Sequence, residues 1–338
     1  MSPALRRYIF IRILLTIPMI LILVSVVFVV LRVLPGDPAL AILREGASEE
    51  QLASFRAALG LDQPLHIQYF EFMKGLLRFD FGQSMTRSRP VIDEIKTFLP
   101  ATIELAIYGM LVIAVVGIFS GVFAAQHRKS AADYVIRVVS IVLYSLPIFW
   151  LGIIFQMFFA AKLGWLPVSG RLDPGMTPET TITGMYTIDA ILMGDWVLFK
   201  DAARHLVLPS LTLGLVLAGI FTRLTRANML EVLEEDYITA GRARGLRERV
   251  LVYKHGLRNA FIPIVTLLGL QFALLLAGAI LTETTFSWPG LGRLVVDRIF
   301  DRDFTTVQAS ILLFAVLVAG ASLIVDIIYG FLDPRIRY

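Results

Sequence analysis

The side chains best suited to chemistry are few in this chain, and their spacing excludes more than it suggests. Cysteine is absent, which removes disulfides, thiolate metal sites, iron–sulfur ligation and cysteine nucleophiles. The four histidines, His66, His127, His205 and His255, lie far apart in sequence, so no metal site is expected in this chain. No glycine-rich run ending in Gly-Lys-Ser/Thr occurs, and with it the usual phosphate cradle for ATP is missing. Gly290 and Gly292 are spaced like the start of a dinucleotide fingerprint, but they follow a loop rather than a strand. No catalytic site and no cofactor are therefore expected. What remains is a set of polar groups in apolar surroundings: Glu104, Arg226, Asn228, Thr266, Gln271 and Asp326. An ionisable group inside a membrane is a functional candidate by default, although one near a span end can reach water. Asp326 fits a gating role and a structural ion pair equally, and Arg226 and Asn228 divide the same way. Thr266 and Gln271 fit helix packing as well as pathway lining.

These groups must be held by membrane-spanning helices. The 338 residues are 57% hydrophobic and 17% charged, with a mean hydropathy of +0.75. Soluble domains carry about 45–50% apolar and about 25% charged residues. A span needs about 20 mostly apolar residues to cross about 30 Å of hydrocarbon. Six stretches qualify: Ile9–Leu31, Leu99–Ala124, Val135–Ala161, His205–Thr225, Ala260–Leu281 and Thr305–Phe331. The first passes directly into Arg32-Val33-Leu34-Pro35-Gly36-Asp37-Pro38 without a small-residue cleavage site, so it reads as an uncleaved anchor. Pro147 and Pro209 predict kinks in the third and fourth spans. Arg6 and Arg7, Arg128 and Lys129, the Arg242–Arg258 cluster, and Arg335 and Arg337 all fall on one side if there are six spans. The positive-inside rule makes that side the cytoplasm, with both termini there. A net charge of +4, this dispersed, gives no basic face for nucleic acid.

The outer segment 32–98 reads as folded. Ser48-Glu49-Glu50-Gln51 fits a capping box, Leu52, Phe55 and Leu59 share a face, and Gly60 suits the C-cap. A second helix begins near Asp62 or Pro64, with Leu65, Tyr69, Phe72, Met73 and Leu76 as its apolar face. A third, separate short helix is expected over Pro90–Phe98, with Pro100 at the entrance of span two. This segment could form an apron over the outer mouth or serve only as a solvent-facing cover. Lys162–Arg204 predicts loops and a short helix around Ile188–Met193 lying along the interface. Trp288 in the third outer piece reads as an interfacial belt residue. On the inside, Glu234–Arg244 predicts a helix with Tyr237, Ile238 and Gly241 near one face. Ala240, Gly241, Ala243 and Gly245 allow close approach by another surface, and Gly245 suits a sharp exit. Arg242, Arg244, Arg247, Arg249, Lys254 and Arg258 would equally attract anionic lipid heads. By composition a docking surface and an ordinary positive inner loop stand level.

The run Glu235-Asp236-Tyr237-Ile238-Thr239-Ala240-Gly241-Arg242-Ala243-Arg244-Gly245-Leu246, then His255-Gly256-Leu257-Arg258-Asn259-Ala260 and Pro263, resembles the cytoplasmic loop of a known family. That family comprises the permease subunits of bacterial ATP-driven importers with the type I ABC importer fold. Glu235-Asp236-Tyr237 replaces the family's initial Glu-Ala-Ala in the manner of its dipeptide, oligopeptide and nickel branch, and Gly241 stands where that branch commonly has alanine. Leu34-Pro35-Gly36-Asp37-Pro38, Pro167-Val168-Ser169-Gly170-Arg171, Glu283 to Gly292 and Asp333-Pro334-Arg335-Ile336-Arg337 are similar to other segments of the same branch.

The resemblance covers nearly the whole chain. It implies an all-α integral membrane protein of the bacterial inner membrane: a single permease domain, 1–338, with six spans, a partly helical outer loop 32–98 and a coupling loop 229–259. It implies that Glu235, Asp236, Tyr237, Ala240, Gly241, Ala243, Arg244, Gly245 and Leu246 contact an ATPase, supported by Arg258, Asn259 and Pro263. Thr266, Gln271 and Asp326 become pathway or gating candidates, and Asp37, Arg171 and Trp288 outer-loop candidates. The implied partners are a homologous second permease subunit, two ATPase subunits that would bind ATP and Mg2+, an extracytoplasmic peptide-binding protein, and membrane lipid. The expected cargo is dipeptides or short peptides. A same-fold importer for nickel, oligopeptides or another small solute is the alternative. An ion-driven secondary transporter or channel, or a membrane scaffold, are the readings from other classes.

Overall fold

The computed structural model describes residues 3–33, 48–58, 60–78, 80–87, 89–178 and 180–332. Its helices are α1 (Pro3–Val33), α2 (Glu49–Ala58), α3 (Leu65–Leu77), α4 (Val91–Gln126), α5 (Ala131–Ser145), α6 (Ile148–Phe155), α7 (Tyr186–Met193), α8 (Trp196–Leu233), α9 (Asp236–Ala243), α10 (Leu257–Gly278), α11 (Ile280–Thr285), α12 (Leu291–Phe300) and α13 (Phe304–Leu332). Wider, π-type turns continue α6 through Gln156–Lys162 and lead into α10 over Val250–Gly256.

Among the described residues four helices are long and apolar enough to cross a membrane: Ile9–Val30, Val91–Gln126, Trp196–Leu233 and Phe304–Val325. Two bent pairs, Ala131–Ser145 with Ile148–Lys162 and Val250–Phe261 with Pro263–Leu276, raise the number to six if each is one span. The first pair bends by 105°. Its break is local in origin, because the residue before a proline is pushed out of the α region: Leu146 is extended (φ −80°, ψ 137°) ahead of Pro147. At Pro209 the expected kink does not interrupt the helix, and α8 runs through it.

The centre of the bundle is α4 against α8, running parallel. A Cβ on Gly117 would lie 2.5 Å from Phe221 Cβ, and one on Gly121 would lie 2.5 Å from Thr225 Cβ. Small residues let two backbones approach where lipid supplies no hydrophobic driving force between helices. Leu105, Ile113, Leu206, Leu213 and Phe221 fill this core, and Ile264 and Leu275 of α10 complete it.

The expected separate helix at Pro90–Phe98 is instead the first turns of α4, which passes through Pro100. Val91 and Ile95 are buried against Leu291 and Leu294 of α12 and Val307 of α13, and that packing carries the helix across the lost hydrogen bond. The capping box forms as expected: Gln51 N–H donates to Ser48 Oγ at 3.2 Å, and Ser48 N–H donates to Gln51 Oε1 at 3.1 Å. Leu52 is buried, while the side chain of Phe55 and all of Leu59 lie outside the described residues. The helix α3 docks on α1 through Tyr69 and Phe72, whose rings meet Phe28 at 5.3 and 5.5 Å.

Candidate functional site

At one end of the bundle α8 stops at Leu233 and the chain folds back as α9. Glu235 takes an extended conformation (φ −68°, ψ 148°), and Asp236 stands in the first turn, where a negative charge complements the helix dipole. Eight residues are too short to hold a helix alone, so α9 depends on docking. Ile238 is fully buried, and a Cβ on Gly241 would lie 2.6 Å from Leu251 Cδ2. The exit is a Schellman-type cap: Leu246 N–H donates to Gly241 O at 3.2 Å, Gly245 N–H donates to Arg242 O at 2.9 Å, and Gly245 has φ +77°. Only glycine takes that conformation without strain.

The sequence-derived residues therefore divide between two faces. Gly241 points inward against Leu251, together with Ile238. Tyr237, Ala240, Ala243, Arg244, Gly245 and Leu246 are exposed, as are Glu235 and Asp236. Of the support residues, Asn259 donates from Nδ2 to the Tyr237 hydroxyl at 2.7 Å, tying α10 to α9, while Arg258 and Pro263 are exposed on α10. Around this end Arg128 pairs with Glu234, and Arg242 pairs with Glu248 at 2.6 Å, all four side chains well exposed. Behind them the half-buried Arg226 holds the buried Asp133 with two hydrogen bonds of 2.7 and 2.8 Å. Arg226 is thus engaged in an ion pair, whereas among the described residues the buried Asn228 Nδ2 has no hydrogen-bond partner. Thr266 and Gln271 are half-buried on α10. Asp37 and the side chain of Asp326 lie outside the described residues.

The opposite end is held by buried charge. Glu104 of α4, early in the second span, accepts from Arg171 Nη2 at 2.5 Å and from the amide and hydroxyl of Thr187 at 2.8 and 2.6 Å. Arg171 also donates to Gly184 O at 2.9 Å and stacks on Tyr186, 3.7 Å from the ring centroid. Trp288 is 1% exposed and donates to Ala101 O at 2.9 Å, so it is a core residue and not the interfacial one expected. An indole fits such a site because its one polar atom finds an acceptor there. Trp165 and Trp196, by contrast, are exposed.

Glu283 caps the start of α12: its carboxylate accepts from the Thr102 hydroxyl at 2.6 Å and the Arg293 amide at 2.9 Å. Burial pushes this carboxyl above its ordinary range, against those donors. A Cβ on Gly290 would collide with the same carboxylate. Arg298 makes a fork with Glu94 at 3.0 and 3.2 Å and reaches Asp301 at 2.6 Å. In the α7 loop, burial opposes ionisation of Asp189. The hydroxyl and amide of Thr183 with the amides of Gly184 and Ile182 outweigh it and hold that carboxyl below its ordinary range. Sequence reasoning singled out Glu104, Arg171 and Trp288 separately and missed that they form one cluster. The available signal was a carboxylate in an apolar helix and an arginine that is the only basic residue between Lys162 and Lys200.

The arrangement is that of a multi-pass helical membrane protein with a short docking helix at one end and a charge-locked opposite end. The binding-protein-dependent transport system inner membrane component model matches residues 117–338, and the corresponding N-terminal model matches residues 5–106. The chain belongs to this family, and it is a multi-pass protein of the bacterial inner membrane.

It is 42% identical over 327 residues to the dipeptide transport system permease protein DppB of Alkalihalophilus pseudofirmus, covering 97% of this chain and 98% of that one. The di/tripeptide transport system permease protein DppB of Pseudomonas aeruginosa is 45% identical over 92% of this chain and 93% of its own length. The glutathione transport system permease protein GsiC of Salmonella choleraesuis is 40% identical over 98% and 99%. Among solved structures, an inward-facing form of the MetNI methionine ABC transporter aligns with a TM-score of 0.52 at 17% identity, covering 69% of this chain and 93% of that chain. That likeness supports the ABC-importer transmembrane fold.

Proposed function

We propose that this chain is the permease subunit of an ATP-driven importer that brings dipeptides or short peptides into the cytoplasm. The observation that carries the reading is α9: a short helix docked on its inner face through Ile238 and Gly241, with Tyr237, Ala240, Ala243, Arg244 and Leu246 turned outward. Such a helix is a rigid handle, and an ATPase that grips it can turn nucleotide-driven dimerisation into movement of the α8–α10 segment. The peptide cargo rests on the dipeptide, di/tripeptide and glutathione relatives.

In this reading the six crossings place both termini and α9 in the cytoplasm, supported by the distribution of arginines and by the parallel run of α4 and α8. The chain encloses half of one pathway, and a homologous permease subunit supplies the other half. Two ATPase subunits bind ATP and Mg2+, and an extracytoplasmic binding protein delivers peptide. Thr266, Gln271 and Asp326 are the pathway candidates. Native mass spectrometry of the tagged chain, co-expressed with its gene neighbours and gently extracted, tests the assembly. A particle with this chain, one different permease and two ATPases is expected, with retained peptide naming the cargo. A lone chain or a homo-oligomer, under conditions that preserve a known importer, overturns the reading.

A further inference from the structure

One group of ligand-type side chains lies apart from both ends' described contacts. Asp201 and His205 stand four residues apart near the start of α8, a spacing that sets both on one helix face. Asp173, in the loop before α7, closes the group, and one ligand atom from each lies within 4.8 Å of the others. The His205 side chain is 3% exposed. Its tautomer follows from a single contact. Nδ1 lies 3.0 Å from the Asp201 carbonyl oxygen, which can only accept, so Nδ1 carries the hydrogen and donates it.

Among the described residues Nε2 makes no hydrogen bond, and it faces Asp173 Oδ1 at 3.6 Å. A proton shared between them would draw nitrogen and oxygen to about 2.7–2.9 Å. A zinc ion at about 2.0–2.1 Å from nitrogen and about 2.0–2.2 Å from oxygen, in tetrahedral geometry, holds them roughly 3.4 Å apart. The observed 3.6 Å is longer than a hydrogen bond and within a few tenths of an ångström of the span an ion would set. Asp201 Oδ2 is fixed by the Asp173 amide at 2.9 Å, and Oδ1, 3.5 Å from His205 Nδ1 and too far for a hydrogen bond to it, is the third candidate donor. A histidine whose second nitrogen donates to a backbone carbonyl is the usual outer-shell arrangement of a metal ligand. Asp173 is 58% exposed, which gives the ion an entry and a water position.

We propose that Asp173, Asp201 and His205 form a site for a divalent transition-metal ion of the zinc type, completed by water. The ion ties the loop that carries Arg171 to the start of α8. The proposal does not depend on the transport reading. Its test uses the full chain in detergent with a histidine-free tag, stripped with chelator and titrated with zinc chloride, bound metal being counted by mass spectrometry. The wild-type chain takes up one zinc per chain, and its thermal unfolding midpoint rises with zinc. Asp173→Asn and His205→Asn weaken uptake tenfold or more, while Asp195→Asn, at the N-cap of α8, leaves it unchanged. Asp173 is exposed and its amide contact to Asp201 survives the substitution, so Asp173→Asn decides the matter even where His205→Asn fails to fold. Absence of stoichiometric uptake by the folded wild-type chain overturns the site. So does uptake that survives Asp173→Asn, which marks adventitious binding only.

Discussion

At the end of the bundle that carries α7 and α12, Glu104, Arg171, Glu283, Glu94 and Arg298 are all buried below 10% exposure, and each is bonded to a group far away in sequence. At the α9 end the buried contacts are mainly apolar, Ile238 and Gly241 on Leu251, and the ion pairs Arg128–Glu234 and Arg242–Glu248 stay in solvent. The partly buried Arg226–Asp133 pair there joins α8 to α5 rather than to α9. Buried charge tolerates little displacement, because a partner withdrawn leaves an ion stranded in low dielectric. Apolar docking of one short helix tolerates small shifts at small cost. Buried charge of this kind resists displacement at the first end, while the apolar docking at the second permits small shifts, as the proposed coupling role requires.

Breaking the rigid end has the largest expected effect. Arg171→Met leaves Glu104 buried with only Thr187 for a partner, and such a loss costs about 3–5 kcal/mol. A sharp drop in membrane yield and in the thermal unfolding midpoint is expected; a midpoint within the scatter of wild type would show that the buried pair is not what holds this end.

Gly245→Asp comes next and sharpens the contrast. Apart from its chain neighbours, no atom of the described residues lies within 4 Å of the added Cβ, so the main internal cost is the left-handed backbone, roughly 1–2 kcal/mol. The chain should reach the membrane in near-normal amount while ATPase association and peptide uptake are lost. Retention of both at wild-type level removes the docking role of α9.

The smallest effect is expected from Arg128→Gln. Its partner Glu234 is well exposed, and exposed pairs contribute about 0.2–1 kcal/mol. Stability and uptake should stay within error of wild type, and a clear loss would mean that this end is also locked by charge.

Legibility in the sequence follows the range of the interaction. The capping box at Ser48, the glycine exit at Gly245, the break at Pro147 and the last helix, read as the span Thr305–Phe331 and found as the helix Phe304–Leu332, all depend on neighbours within a turn or two. Pro100 misled for the same reason: locally it reads as a helix start, and only Val91 and Ile95 packed on α12 carry the helix through it.

Sequence by itself determined that this is a multi-pass membrane chain, roughly where its helices lie, and that the segment around Glu235–Gly245 forms a helix with a firm stop. Apolar length, caps and backbone conformation are properties of contiguous residues. Tertiary structure alone decided that Gly241 faces inward while Ala240 faces out, that Trp288 is core, and that Glu104 meets Arg171 and Asp173 meets His205. Those pairings join residues brought together by the packing of α4, α8 and the loop between them, and a contact set by chain folding leaves no mark in local spacing.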